Sequence, residues 1–227
     1  MSLAVTKSVQ ERPLSAIVQG EMDGMPFLTR DALTILAGDG ASRKLVIGTV
    51  FGKRLFGTIT TDATGNTGNG AIGALSLGDN AQVGDYVATC IAAAGNGGTF
   101  AVIAPDGRRL ADATVAVAYA SPHINFTIAD GAADFVVGDA FTLTVPEGDN
   151  KAVAIDFTAT DGSQLAAGVI AKTVTAADGV DANGVGIKAF AQYVAAELVW
   201  PTGATAGQKA AAEAQLQASH FMPVLVA

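Results

Sequence analysis

The chain has 227 residues, enough for one large domain or two small ones; half are apolar, 6% are aromatic and 15% are charged, with 27 glycines. This composition predicts a thin-cored, β-rich protein with many turns, and it excludes disorder, which needs low hydrophobicity together with high net charge. The formal net charge of −8 argues against nucleic acid as a partner, since that needs a basic footprint. Residues 1–56 carry 7 basic and 5 acidic side chains, residues 57–148 carry 2 and 9, and residues 149–227 carry 4 and 7. Only the first segment is basic, and weakly so; the middle reads as a solvated, self-repelling surface.

Residues 1–30 show no sustained hydrophobic period and are interrupted by Pro13, Gly20, Gly24 and Pro26. They predict an extended or disordered arm, which would reach roughly 100 Å if fully extended. The first twenty residues hold Lys7, Glu11 and Arg12 without a continuous apolar stretch, so no signal peptide is expected. No run of about 18 apolar residues predicts a membrane span. ALTILAG (32–38) and SRKLVIGTVF (42–51) predict two short strands joined as a hairpin by GDG (38–40). TTDATGNTGNGAIG (60–73) reads as a loop.

From about 83 to 145 strands and turns repeat, with PDG (105–107) as one turn. Ile124, Phe126 and Ile128 alternate with polar residues, as do Phe141, Leu143 and Val145, so one face is buried and one is wet. Turn signals every 8–12 residues predict a small β-sandwich. Strand-like runs resume in 151–159, 164–174 and 186–201, the last as one long strand ending at Trp200-Pro201. TAGQKAAAEAQLQASHF (205–221) predicts a helix with a Thr205/Gln208 capping box. Pro223 is expected to stop it, with PVLVA as a final strand.

Motifs with chemistry are sparse. Gly184-Val-Gly186-Ile-Lys-Ala189 fits a loose dinucleotide pattern, but that site needs a strand before it and a helix after it; here a polar turn precedes and a strand-like run follows. Gly38-Asp-Gly40-Ala-Ser-Arg-Lys44 lacks phosphate-loop spacing. GALSLG (73–78) has one residue too many before Ser76 to be a nucleophile elbow, and His123 and His220 lie on different segments. Asp178, Asp181 and Asn183 miss the calcium-loop spacing. Asn125-Phe-Thr127 is a glycosylation sequon in form only. One cysteine and two histidines cannot build a Cys/His metal site, and Cys90, in a strand-like run, reads as a small buried hydrophobe. No catalytic residue, cofactor or metal is expected.

SRKLV (42–46), TDGSQLAAGVIA (160–171) and ELVWP (197–201), followed by a helix and an apolar tail, together resemble the head decoration (cementing) proteins of lambda-type tailed phages. The resemblance covers about 31–56 and 148–227. It implies a small mixed-β fold with one C-terminal helix, a homotrimer on the outer surface of the phage head, and synthesis in the host cytoplasm. It also implies a function that is mechanical rather than enzymatic: clamping the major capsid protein after head expansion, with an N-terminal arm that is flexible when free and orders on the shell. Residues 57–147 interrupt the matching sequence, and their strand pattern predicts an inserted, Ig-like β-sandwich at an exposed hairpin tip. The expected organisation is thus an arm at 1–30, a base at 31–56 and 148–227, and an insert at 57–147.

An arm with Pro and Gly suits pairing with another chain's sheet edge, and Leu14, Ile17, Val18, Phe27 and Leu28 are its apolar capsid-binding candidates. Trp200 and Pro201 are candidates for the trimer or capsid interface, or Trp200 is the main core aromatic. Ala166 and Gly168 permit close approach of backbone or of a neighbouring subunit, or else fill a thin core. A second reading makes the protein a virion-displayed binding module whose insert recognises host-surface glycan or protein. Exposed aromatics would favour it, but Tyr86, Phe100, Tyr119, Phe126, Phe135 and Phe141 lie at strand positions that read as buried.

Overall fold

Residues 12–22 and 26–224 are described by the structure, a computed structural model. In chain order the first elements are β1 (Val18–Glu21), the single turn α1 (Pro26–Thr29), β2 (Arg30–Ile35), β3 (Arg43–Leu45) and β4 (Val50–Lys53). Next come β5 (Thr60–Asp62), β6 (Ile72–Leu77), β7 (Gly84–Ala94), β8 (Gly97–Ile103), β9 (Ala113–Thr114), β10 (Ala118–Tyr119), β11 (Ile124–Ile128) and β12 (Ala140–Val145). The last are β13 (Ala152–Ala154), β14 (Gly168–Ile170), β15 (Val174–Ala176), β16 (Ala182–Ile187), β17 (Ala191–Tyr193), α2 (Ala206–Ala218) and β18 (Phe221–Pro223). The fold is mainly β with a C-terminal helix. Contacts divide it into two units, one built from residues up to Lys53 with 151–158 and from 163 onward, the other from Arg54–Asn150 with Ala159–Gly162.

The first unit closes a barrel in the order β13-β2-β16-β14-β4. Leu33 and Ile35 alternate with more exposed neighbours on β2 and point inward with Phe51, Ala152 and Ile170. The neighbouring strand β16 supplies no bulk there. A side chain at Gly186 would lie 2.6 Å from the Phe51 ring and 2.7 Å from Leu33, and one at Gly184 would lie 3.0 Å from Ile35. The Gly-Val-Gly of the loose dinucleotide pattern thus makes room for the barrel's filling, as the interior of a small barrel requires. Gly168 is tighter still: at φ +154 its missing Cβ would meet the Ile187 carbonyl oxygen at 2.2 Å.

A three-stranded sheet, β1-β17-β18, and α2 form a second core of this unit. The helix begins as its sequence specifies, with Thr205 and Gln208 capping each other; it buries Ala212 and Leu216 beside Tyr193, Leu198 and Phe221.

In the second unit a five-stranded sheet (β5-β12-β7-β8-β9) and a three-stranded one (β10-β11-β6) share one core. The alternation of β11 and β12 turns Ile124, Phe126, Ile128, Phe141, Leu143 and Val145 into it. Phe100 and Phe135 meet edge to face at 5.1 Å, a favoured aromatic geometry. The Gly/Thr/Asn loop has a packing reason: side chains at Gly68 or Gly70 would each lie 2.4 Å from Phe135. Asp139, 5% exposed, ties that loop down by accepting from the N–H groups of Thr67, Gly68 and Val136.

Several expectations are corrected. GDG does not close a hairpin: β2 pairs with β13 and β16, and β3 with β15. The turn is held from outside instead, with the Gly38 N–H donating to Ala177 O and the Gly179 N–H to Gly38 O. SRKLVIGTVF breaks after Leu45 because the Thr49 N–H turns back to Val46 O and Gly48 sits at φ +87. The run 186–201 is not one strand: β16 ends at Ile187, Phe190 turns at φ 50, and β17 and a 3-10 turn at Ala195–Glu197 follow. The helix ends at Ala218, before Pro223, because His220 takes φ 62 and turns the chain into β18, which itself contains Pro223. Of the expected arm, residues 12–22 are tied to the first unit: β1 pairs with β17, and Ile17 is fully buried. Residues 1–11, 23–25 and 225–227 lie outside the described residues.

Gly168→Ala should lower stability by about 3 kcal/mol, since a backbone carbonyl rather than a flexible side chain blocks the Cβ; denaturant unfolding reads this directly. At Asp139 burial works to raise the pKa, but the three backbone N–H groups outweigh it and hold it below the ordinary carboxylate value. Its stabilising contribution is therefore complete above the unfolded value of about 3.9 and lost as pH falls through the lower folded one. Asp139→Asn should cost about 1–3 kcal/mol at neutral pH and flatten the acid limb of a stability–pH curve. An unchanged acid limb would assign that limb to other carboxylates.

Candidate interaction surfaces

The segment from Arg12 to Glu21 is fixed by charge as well as by apolar packing. The Arg12 guanidinium pairs with the Glu197 carboxylate, and its Nη2 donates to Glu197 O at 3.0 Å. Glu21, at the end of β1, accepts from Arg30 Nη2 at 2.7 Å, Arg30 Nε at 2.9 Å and the Thr29 hydroxyl at 3.0 Å. The Arg30 hydrogen bond is the main reason its carboxyl is held below the usual range, and the same bond raises the Arg30 pKa. Ile17 and Val18 are buried in the α2 core, and Leu14 packs half-buried against it. Phe27 and Leu28 lie in α1, with Leu28 half-buried.

Trp200 is half-buried and stacks on Phe157 at 6.4 Å and 26°. Pro201 beside it borders a cleft of about 120 Å³ with Phe157, Thr158 and Gly203. Ala166 is half-buried, and its N–H donates to Gln215 Oε1 of α2 at 2.7 Å. Leu14, Ala166 and Trp200 therefore share the margin of one core. Gly168 does not join them: it is buried, and its small size is used inside the barrel.

Two features lay beyond sequence reasoning. A groove of about 400 Å³ borders β1, β17 and β18, lined by Glu21, Met22, Phe190, Gln192, His220 and Met222. Met22 and Met222 are 47% and 62% exposed there, and the Phe190 and His220 rings stack at 4.8 Å. The second is a cavity of about 320 Å³ in the second unit, beside Arg54 and Phe56. Its walls come from residues 54–59, 75–77 and 160–161, segments that no local motif connects.

The residues weighed for catalysis have other partners. Ser76 Oγ accepts from Asn125 Nδ2 at 3.3 Å, and the His123 ring meets Arg108 Nη2 at 2.6 Å. Among the described residues no group of His, Cys, Asp and Glu is arranged to hold a metal ion, and no helix is long and apolar enough to cross a membrane. Formal charge is divided by unit: the second holds Arg54, Arg108 and Arg109 against eleven carboxylates, while the first is balanced.

No curated protein matches the chain. Among solved structures, two crystal forms of Xanthomonas campestris FlgL overlay on it. One matches at 17% identity and a TM-score of 0.31, covering 46% of this chain and 34% of FlgL. The other matches at 19% and 0.30, covering 48% and 32%. The chain thus spans about a third of FlgL's length, and overlays this loose carry no argument about fold or function. The family model described as bacteriophage lambda head decoration protein D matches residues 10–221, nearly the whole chain, and the chain belongs to that family.

Proposed function

We propose that the protein binds the outer surface of the expanded phage head as a homotrimer and cements it, holding neighbouring copies of the major capsid protein against the pressure of packaged DNA. The observation that carries this reading is the family match over residues 10–221, which by itself makes the chain a structural decoration protein of the head surface. The organisation of the chain supports the finer part. The first unit is the capsid-facing base, with balanced formal charge. The second unit, whose sequence lies between two parts of the first, is an inserted β-sandwich carrying the net negative charge, suited to outward display and to keeping virions apart.

The arm is the docking element in this reading, and its root is the segment from Arg12 to Glu21. Ile17 and Val18 anchor that root within the first unit, and the capsid-binding role of the arm falls to residues 1–11, which lie outside the described residues. Three arms on one trimer raise avidity through effective concentration, by about 10²–10⁴ over one arm. Trp200, Pro201 and Ala166 lie on the base as trimer or capsid contacts. A second reading, a virion-displayed module that recognises host-surface glycan or protein, draws support from the cavity beside Arg54.

Deleting residues 1–11 should leave the melting curve unchanged and abolish co-sedimentation with expanded, undecorated heads of the same phage; retained binding at full affinity would refute the arm's role. Deleting residues 1–25 should in addition destabilise the base, because it removes Ile17, Val18 and a paired strand. Trp200→Ala should weaken head binding by at least about tenfold, the scale of an interface hot spot, with little change in far-ultraviolet circular dichroism.

A further inference from the structure

The cavity beside Arg54 has an apolar wall and a polar mouth. The wall is Phe56, Ile59 and Leu75, each packed on one side against the core of the second unit, with Leu77 buried behind them. The polar side of the cavity's lining is Thr58 and Thr160, both exposed, with Arg54 and Asp161. Its volume of about 320 Å³ lies at the lower end of the ~300–1,000 Å³ typical of small-ligand sites, which combine apolar lining with a few converging polar groups.

The site is built before any ligand arrives. The Leu55 and Phe56 N–H groups both donate to Asp161 O, at 2.8 and 2.9 Å, and the Gly57 N–H donates to Pro146 O at 2.9 Å. Gly162, at φ +100, packs on Leu55 with its missing Cβ 2.8 Å from that side chain. The aromatic wall and the carboxylate are thereby fixed to one another through backbone, so little ordering is left for binding to supply.

Charge selects the ligand class. The Arg54 guanidinium meets Asp149 at 3.1 Å and Asp161 at 3.4 Å, so its charge is already engaged by carboxylates. The surrounding unit is strongly acidic, so phosphate, sulfate and carboxylate ligands are repelled. Among the described residues Phe56 is the one aromatic that lines the cavity, too few for the aromatic cage that quaternary ammonium ligands require. A guanidinium and a carboxylate side by side offer donors and acceptors to adjacent hydroxyls, and Phe56 offers a face to C–H groups. We infer that this cavity binds a neutral pyranose sugar ring. The inference rests on the display reading of the second unit and not on head binding.

The test uses the free full-length protein, so its outcome is separate from whether decorated virions adhere to cells. Methyl glycosides of glucose, galactose and mannose are titrated by isothermal calorimetry and saturation-transfer NMR, with glucuronate as the anionic probe. At least one neutral glycoside should bind saturably with a Kd on the order of 1 mM, glucuronate about tenfold more weakly, and the Thr58→Val/Thr160→Val double variant should lose about tenfold in affinity. Both threonines are exposed, so the variant's melting temperature should match the parent's. Absence of saturable binding by all three neutral glycosides, glucuronate binding as tight as theirs, or an unaffected double variant would each overturn the assignment.

Discussion

A five-stranded barrel has room for one large ring, and Phe51 takes it. Most of the first unit follows from that. The ring faces Gly168 and Gly186, where a Cβ would lie 2.9 Å and 2.6 Å away, so β14 and β16 must be glycine-bearing strands. The same ring is carried on β4, which pairs with β13 and β14. Gly52 beside it must also be bare, because the Ser163 carbonyl oxygen lies 2.2 Å from where its side chain would start. The segment ATDGSQLAAGVI, which holds almost no reactive chemistry, is explained by these contacts: its first part makes the Asp161 turn of the second unit, and its last part closes the barrel of the first.

The second unit is filled independently, by Tyr86, Phe100, Phe126, Phe135 and Phe141, all almost fully buried. Those aromatics are spent on stability and are not available to a partner. Phe56, by contrast, is only partly buried and lines the cavity beside Arg54. With the whole net negative charge gathered in this unit, the two parts of the chain present different surfaces: a charge-balanced first unit with an apolar groove and a half-buried tryptophan, and an acidic second unit with a small cavity beside Arg54.

The sequence made strand faces legible wherever one side is wet. Ile124 to Ile128 and Phe141 to Val145 alternate as they are buried, and Thr205 with Gln208 marked the start of the helix. Pairing was not legible, because period two identifies a buried face and not its partner; β2 finds β13 and β16 rather than its neighbour β3. The run 186–201 hid two breaks for a related reason: Ile187, Ala191, Tyr193 and Leu198 all enter one core, so their apolar character runs on through the turn at Phe190. Ile17 and Val18 read as free-arm residues because a four-residue edge strand leaves too little pattern to detect. Of the candidate surfaces, Trp200 and Pro201 were visible as a lone aromatic beside a proline. The Met22–Met222 groove and the Arg54 cavity are assembled from distant segments and leave no local trace.

The chain belongs to the lambda head decoration family, and the proposal built on that makes the first unit the clamp, the arm its tether and the second unit the outward face. Reconstruction by cryo-electron microscopy of expanded, undecorated heads incubated with the purified protein tests that account most directly. It predicts saturable density for trimers at the three-fold and quasi-three-fold positions, with the first unit against the capsid and the second pointing outward. Empty three-fold positions at saturating protein, or density in which the second unit contacts the shell, would contradict it.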